Sequence, residues 1–94
     1  MKELIHELSL LDTDALYLFT VDNVRIKENF AEFDLTIQTS SQILSRWLIT
    51  CKHCLKAQID HTNLAREVTI KSDIFIVGTT YFSGSHFEAT RLTS

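Results

Sequence analysis

This sequence of 94 residues contains no proline and only two glycines, Gly78 and Gly84. Turns must therefore be built mainly from Asp, Asn, Ser and Glu. Sheet edges lack the proline that often blocks strand pairing, so we expect edge strands to allow a homodimer. No apolar run approaches the ~20 residues that a membrane-spanning helix needs, so we expect no membrane contact.

Clusters of basic residues and an export signal are also missing. The net charge is −3, and the nine Lys and Arg residues are scattered from Lys2 to Arg91. Affinity for nucleic acid depends on clustered cations, so we expect no nucleic-acid partner. Residues 1–14 carry acids within their apolar stretch and have no small-residue cleavage site. The expected location is therefore the cytoplasm, where a disulfide would be unusual.

The apolar residues that are present predict one domain over residues 1–94, because 45% of the chain is hydrophobic. Residues 1–11 have the 3.6-residue period of a short amphipathic helix. Residues 15–38 alternate as a hairpin, with a bulge or bend after Asp22-Asn23. Further strands are predicted at 67–71 and 74–82. After a turn at 83–85, a last strand is predicted at 86–92.

Residues 42–59 fit both a helix and a strand. A helix would place most of the apolar residues on one half of its surface, with Ser41 as N-cap. The run "RWLITC" is β-branched and aromatic, and its flanks are strongly β. We therefore predict a strand from about Arg46 to Ile59, bent near Lys52. The predicted fold is mainly β, one antiparallel sheet or sandwich with an N-terminal helix. The alternative is an α+β fold with a second helix at about 42–59.

Both cysteines lie in one motif, Cys51-x-x-Cys54. On a strand, Cys51 would face the core and Cys54 the opposite side. Thiols on opposite faces can neither share a metal ion nor form a disulfide. The histidines do not supply a second ligand pair at zinc spacing; they are His6, His53, His61 and His86. We therefore expect no metal or cofactor, and only Cys54 as a reactive thiol.

A strand, then "CKHC", then a helix would be similar to the active-site order of thioredoxin-like oxidoreductases. The resemblance would make the cysteines a redox pair, since thiols at helix N-termini are reactive. That family places a proline against the pair, and this chain has none. The segment before the motif also has the pattern of a hairpin. A thiol- or metal-dependent function of Cys51 and Cys54 is thus the alternative hypothesis.

Other residue groups favour ordinary structural roles. Tyr81, Phe82 and Phe87 flank the predicted turn and are expected in the core; if exposed, they are interface candidates. Glu32 and Asp34 alternate on the polar side of a strand, as solvent-facing acids do. With no catalytic group assigned, we predict no enzyme activity. The expected function is that of a small cytoplasmic protein that contacts another protein, such as an immunity, antitoxin or phage-encoded inhibitor protein.

Overall fold

A computed structural model describes residues 1–12, 14–60 and 65–93. These residues form one helix and six strands: α1 Lys2–Ser9, β1 Leu18–Lys27, β2 Phe30–Gln38, β3 Ile43–Gln58, β4 Val68–Ile70, β5 Ile74–Val77 and β6 Thr80–Thr93. All neighbouring strands pair antiparallel in the order β1-β2-β3-β6-β5-β4. The predicted antiparallel β fold with an N-terminal helix is confirmed. The alternative second helix is wrong, because β3 covers that segment.

The N-terminal hairpin has the irregularity that its sequence predicts. The pairing of β1 with β2 shifts register between Asp22 and Arg25, and Asn23 has a φ of 52°. This bulge lets the alternation of β1 resume out of phase. Glu28, with a φ of 55°, lies in the turn that joins the two strands. Hence both the bulge and the turn of this hairpin are confirmed.

The C-terminal hairpin turns earlier than predicted. Its turn is at Gly78 and Thr79, where Gly78 adopts a φ of 62° that glycine accepts at little cost. The predicted turn at 83–85 is wrong, because those residues lie inside β6. The sequence pattern predicted a turn at Gly84, but in the structure Gly84 allows β6 to approach β3 closely.

One face of the sheet carries the hydrophobic core. Phe33 lies at its centre, stacked on Phe82 at a centroid distance of 4.3 Å and edge-on to Phe75 at 5.4 Å. The sheet curls until Phe19 of β1 meets Ala65, just before β4, through two backbone hydrogen bonds of 2.8 and 3.1 Å. Curling lets one sheet surround most of its own core, and α1 covers part of the remainder with the fully buried Leu4.

A hydrogen-bonded cluster fastens α1 to the sheet. Glu7 accepts hydrogen bonds from Ser45, from Trp47 Nε1 at 3.2 Å and from Arg91 Nη1 at 2.6 Å. The Arg91 guanidinium also lies 5.5 Å from the centre of the Trp47 ring. Burial alone would raise the pKa of Glu7, but the three hydrogen bonds and the charge of Arg91 outweigh it and lower that pKa. Glu7 therefore acts as an anion that holds the helix in place.

Candidate functional site

The C-x-x-C motif lies where the regular alternation of buried and exposed side chains in β3 ends. From Ser45 to Cys51 every second side chain is buried, as expected for a strand with one face on the core. At His53 the backbone enters the left-handed region with a φ of 53°. Such a φ is uncommon for residues other than glycine and marks a local distortion. The predicted bend near Lys52 is thus confirmed, one residue further along.

A second irregularity follows directly. The pairing of β3 with β6 shifts register between Cys54 and Lys56, so Leu55 has no partner in β6. The backbone N–H of Cys54 donates to the carbonyl of Asn29, in the turn between β1 and β2. This contact brings the β1-β2 turn against the bend of β3. The bend, the bulge and the turn together form the candidate site.

Both cysteines pack on the hydrophobic core, so the expectation that they face opposite sides of the strand is wrong. The two thiols also interact electrostatically, since Cys54 contributes to the raised pKa of Cys51. The left-handed residue between them breaks the strict alternation on which the expectation rested. Both cysteines are free thiols, Cys51 fully buried and Cys54 half-buried. The Cys54 thiol also donates to the carbonyl of Lys56 at 3.7 Å.

Gly84 makes room for this arrangement. It pairs with Cys54 across the β3-β6 ladder and is buried. A Cβ at this position would lie 2.5 Å from Cys51 Sγ, 3.1 Å from the carbonyl oxygen of His53 and 3.2 Å from Cys54 Cα. The first distance is shorter than real contacts of a Cβ atom. Glycine is needed here for close approach, one of the uses that a glycine inside a strand indicates.

The environment of Cys51 keeps its sulfur protonated. Burial, followed by the hydrogen bond and the charge of the neighbouring Cys54, raises the pKa of Cys51 to about 12. Because the thiolate is the nucleophile and the metal ligand, Cys51 is unreactive on its own at neutral pH. Any chemistry of the pair must therefore begin at Cys54, which borders a surface hollow of about 210 Å³.

Leu55 is the most exposed large hydrophobic side chain in the described part of the protein, at 82%. Strict alternation along β3 would place Leu55 on the core face with Trp47, but the bulge turns it outward. It borders the same hollow as Cys54 and Ile26, which is 55% exposed. We call this surface the Leu55 patch, formed by Ile26, Glu28, Cys54, Leu55, Lys56 and Ala57.

The aromatic residues predicted near the C-terminal turn are mostly in the core. Phe82 is fully buried and Phe87 is 7% exposed, so the expectation of a core position is confirmed for both. Tyr81 is half-buried, and Lys56 lies over its ring at 5.8 Å from the ring centre. An interaction role for Tyr81, Phe82 and Phe87 stays a prediction, and Tyr81 is the most accessible of the three.

Ion pairs cover the polar face of the sheet. Asp34 is 7% exposed and lies near two guanidinium groups, those of Arg46 at 3.4 Å and Arg25 at 3.9 Å. Arg25 also pairs with Glu32 at 2.7 Å. The carboxylates of Glu32 and Asp34 are thus both engaged with arginines, which gives them a structural role.

A second group of charges lies beside the bend. Glu88 accepts from His86 at 3.1 Å and from Lys52 at 3.3 Å, and these two residues, His86 first, lower the pKa of Glu88. The serines near His86 remain inside β6, without the strand-to-helix turn that a nucleophilic serine requires. Among the described residues, no three His, Cys, Asp or Glu side chains group as metal ligands, and His61 lies outside those residues.

Two further hollows flank α1. One, of about 460 Å³, lies between the end of the helix, Phe19 of β1 and the start of β4, with Tyr17 and Arg66 in its lining. The other, of about 430 Å³, lies between Ile5, Ile70 and Phe87. Both have volumes within the range of about 300–1,000 Å³ that is common for small-molecule sites. Neither contains the thiols or the Leu55 patch.

Comparisons with protein-family models, with curated proteins and with solved structures find no match to this chain. The helix that the described residues contain has eight residues, and no helix among them is long and apolar enough to cross a membrane.

Proposed function

We propose that this protein acts by binding another protein and that the Leu55 patch makes the contact. The observation that carries the proposal is the exposure of Leu55, at 82%, beside a hollow of about 210 Å³. Burying a leucine side chain fully contributes roughly 1.5–3 kcal/mol of free energy. Because Leu55 is exposed, folding does not gain this free energy, and binding of a partner could. β-bulges often serve to redirect a side chain, and this bulge directs an apolar one to solvent.

The chemistry of the patch indicates the kind of contact. Ile26, Leu55 and Ala57 supply apolar surface, while Glu28 and Lys56 contribute one charge of each sign. Apolar side chains at the centre of an interface with a polar rim are typical of protein-binding hot spots. With no net charge at its rim, the patch should bind with little dependence on ionic strength.

Within this proposal the protein belongs to the small non-catalytic cytoplasmic proteins that work by surface contact, such as immunity proteins, antitoxins and phage-encoded inhibitors. The net charge of −3 gives the remaining surface a mild preference for a basic partner. The free thiols accord with a reducing compartment such as the cytoplasm.

A homodimer through edge strands is the other form of contact that the sequence suggested. The outer edge of β1 carries the bulge at Asp22–Arg25 and the charged side chains of Arg25 and Lys27. Bulges and charges on an edge strand oppose pairing with another strand. The Leu55 patch is therefore the better candidate surface, and a second copy becomes one outcome of the test.

Site-specific photocrosslinking in the producing cells tests the proposal. A photoreactive amino acid replaces Leu55 in one variant and Leu10 or Leu16, both 69% exposed, in matched controls. We expect a discrete adduct with a different protein from position 55 and none from positions 10 and 16. With the identified partner purified, Leu55→Ala should weaken binding at least about tenfold, as loss of a hot-spot residue does, and Leu10→Ala should not.

Two results would contradict the proposal. Equal adducts from all three positions, or none from position 55, would show that the patch is not a specific contact surface. An adduct of two copies of this chain would replace the partner protein with a homodimer.

The contact between Cys51 and Cys54 favours a second candidate function, a thiol-dependent one. Thiols on opposite faces of the strand would have excluded it, whereas both thiols pack on the core side and interact electrostatically. Reaction of the native protein with a low-molecular-weight disulfide, together with metal analysis, separates the two functions. A protein that works by surface contact alone should stop as a single mixed disulfide at Cys54 and hold no stoichiometric metal.

A further inference from the structure

The bend of β3 brings Cys51 and Cys54 close together. The position that a Cβ on Gly84 would occupy lies 2.5 Å from Cys51 Sγ and 3.2 Å from Cys54 Cα. The two thiols interact electrostatically, and no covalent bond joins them. The Cys51 sulfur therefore lies beside the backbone of Cys54, which itself borders the surface hollow of the Leu55 patch.

We propose that Cys51 and Cys54 are a thiol–disulfide exchange pair, which forms an intramolecular disulfide by reaction with a low-molecular-weight disulfide. In the first step the Cys54 thiolate attacks one sulfur of the small disulfide, and one small thiolate leaves. In the second step Cys51 attacks the Cys54 sulfur, and the second small thiolate leaves with the Cys51 proton. Two protein thiols are oxidised to one disulfide, and the small disulfide is reduced to two thiols.

The order of the two steps follows from access to the sulfurs. Cys51 is fully buried, whereas Cys54 is half-buried and borders the hollow of the Leu55 patch. The raised pKa of Cys51, due first to burial and then to Cys54, also keeps it from attacking first. Once Cys54 is in a mixed disulfide, its own charge no longer opposes ionisation of Cys51. Cys54 is therefore the entry sulfur and Cys51 the sulfur that completes the reaction.

Closure would also change the surface beside the pair. A disulfide requires Cβ atoms about 3.5–4.5 Å apart, so the backbone across Lys52 and His53 must hold both cysteines in that geometry. Leu55 follows Cys54 directly and lies in the bulge. If the Leu55 patch binds a partner as proposed above, closure of the disulfide would alter that binding. The thiol exchange itself does not depend on the partner.

Intact-mass spectrometry of the purified full chain tests the exchange without any partner. The reduced native protein is incubated with oxidised glutathione, then treated with an alkylating reagent. We expect the mass to fall by two hydrogens, with neither cysteine alkylated, and dithiothreitol should reverse the change. The Cys51→Ala variant should stop as one glutathione adduct at Cys54. The Cys54→Ser variant should not react while folded.

Two controls keep the result specific to the folded arrangement. Near-UV circular dichroism of Trp47, which is buried, reports whether each variant is folded. The same exchange in denaturant gives the rate for an unaligned pair, and the native protein should close its disulfide faster after the first adduct forms. A wild-type protein that stops as the Cys54 adduct, or that closes only when unfolded, would overturn the proposal.

Discussion

Between Ser45 and Cys51, every second side chain of β3 is buried, whereas between Lys52 and Gln58 none is. The two halves belong to one strand and pair with the same neighbour, β6. The first half obeys the rule for a strand with one face on a core. The second contains a left-handed residue, a bulge and an exposed leucine. The buried residues of the first half stabilise the fold, whereas the fold does not require the placement of the exposed residues in the second half.

The largest expected effect comes from the regular half. Trp47 is buried and donates to both Glu7 and Ser45, so Trp47→Ala removes a large side chain and two hydrogen bonds. We expect the free energy of unfolding to fall by about 3–5 kcal/mol, typical of a buried aromatic residue. Urea unfolding followed by far-UV circular dichroism measures it. A loss below about 1 kcal/mol would mean that Trp47 is not central to the core.

Gly84→Ala is the next test, because it forces a methyl group against β3 at its bend. The added Cβ meets Cys51 Sγ and two backbone atoms. Such overpacking should cost about 1–3 kcal/mol of unfolding free energy.

The matching variant is Cys51→Ala, which removes the sulfur atom nearest the added Cβ. Since the two positions share one contact, the double variant should lose less stability than the sum of the two single losses. Strict additivity would show that the strain of Gly84→Ala falls on the backbone of His53 and Cys54 alone.

The regular half of β3 and the neighbouring strand β2 could largely be predicted from sequence. Phe33, Leu35 and Ile37 alternate with polar residues, and this period places them in the core, where the structure has them. The run "RWLITC" likewise favoured a strand over a helix. Local alternation is sufficient here because each strand lies between two others and one face has no access to water.

The candidate site could be predicted only in part. The bend near Lys52 was predicted, but the sequence does not show the left-handed φ of His53, since a positive φ is uncommon even for histidine, which is enriched there. That one dihedral angle determines which way Cys54 points. The exposure of Leu55 follows from a register shift against β6, a strand more than twenty residues away along the chain.

The turn at Gly78 was missed for a related reason. The small polar neighbours of Gly84 indicated a turn at 83–85, whereas Gly78 lies between Val77 and Thr79 and lacks such a polar cluster. Only the close approach of Cys51 and Cys54 explains why Gly84 lies inside a strand. Glu7, similarly, lies outside the apolar arc of α1, and no local signal in the sequence indicates that it meets Ser45, Trp47 and Arg91.

A smaller effect is expected where α1 meets the regular half of β3. Glu7→Gln should cost about 1–2 kcal/mol at neutral pH, because Ser45, Trp47 and Arg91 lose a charged acceptor. The folded-state pKa of Glu7 lies below its ordinary value of 4.5. Its contribution is therefore complete above that value and is lost as the pH falls through the folded-state pKa.

Urea unfolding of the wild type and Glu7→Gln across a pH series measures this contribution. The difference between them should be constant near neutrality and should shrink in acid. Glu3→Gln, at an exposed position of the same helix, is the matched control and should change stability by no more than about 0.5 kcal/mol. A difference that grows in acid would contradict the assigned anionic role.

The smallest change in stability is expected from Leu55→Ala, and it decides the comparison. Because the side chain is 82% exposed, its truncation should alter the free energy of unfolding by no more than about 0.5 kcal/mol. Ile49→Ala, a buried position in the same strand, should cost about 2–5 kcal/mol under the same conditions. A large loss from Leu55→Ala would place Leu55 among the residues that hold the fold together. A loss near zero, combined with weaker binding of the crosslinked partner, would show that the irregular half of β3 serves contact and the regular half serves stability.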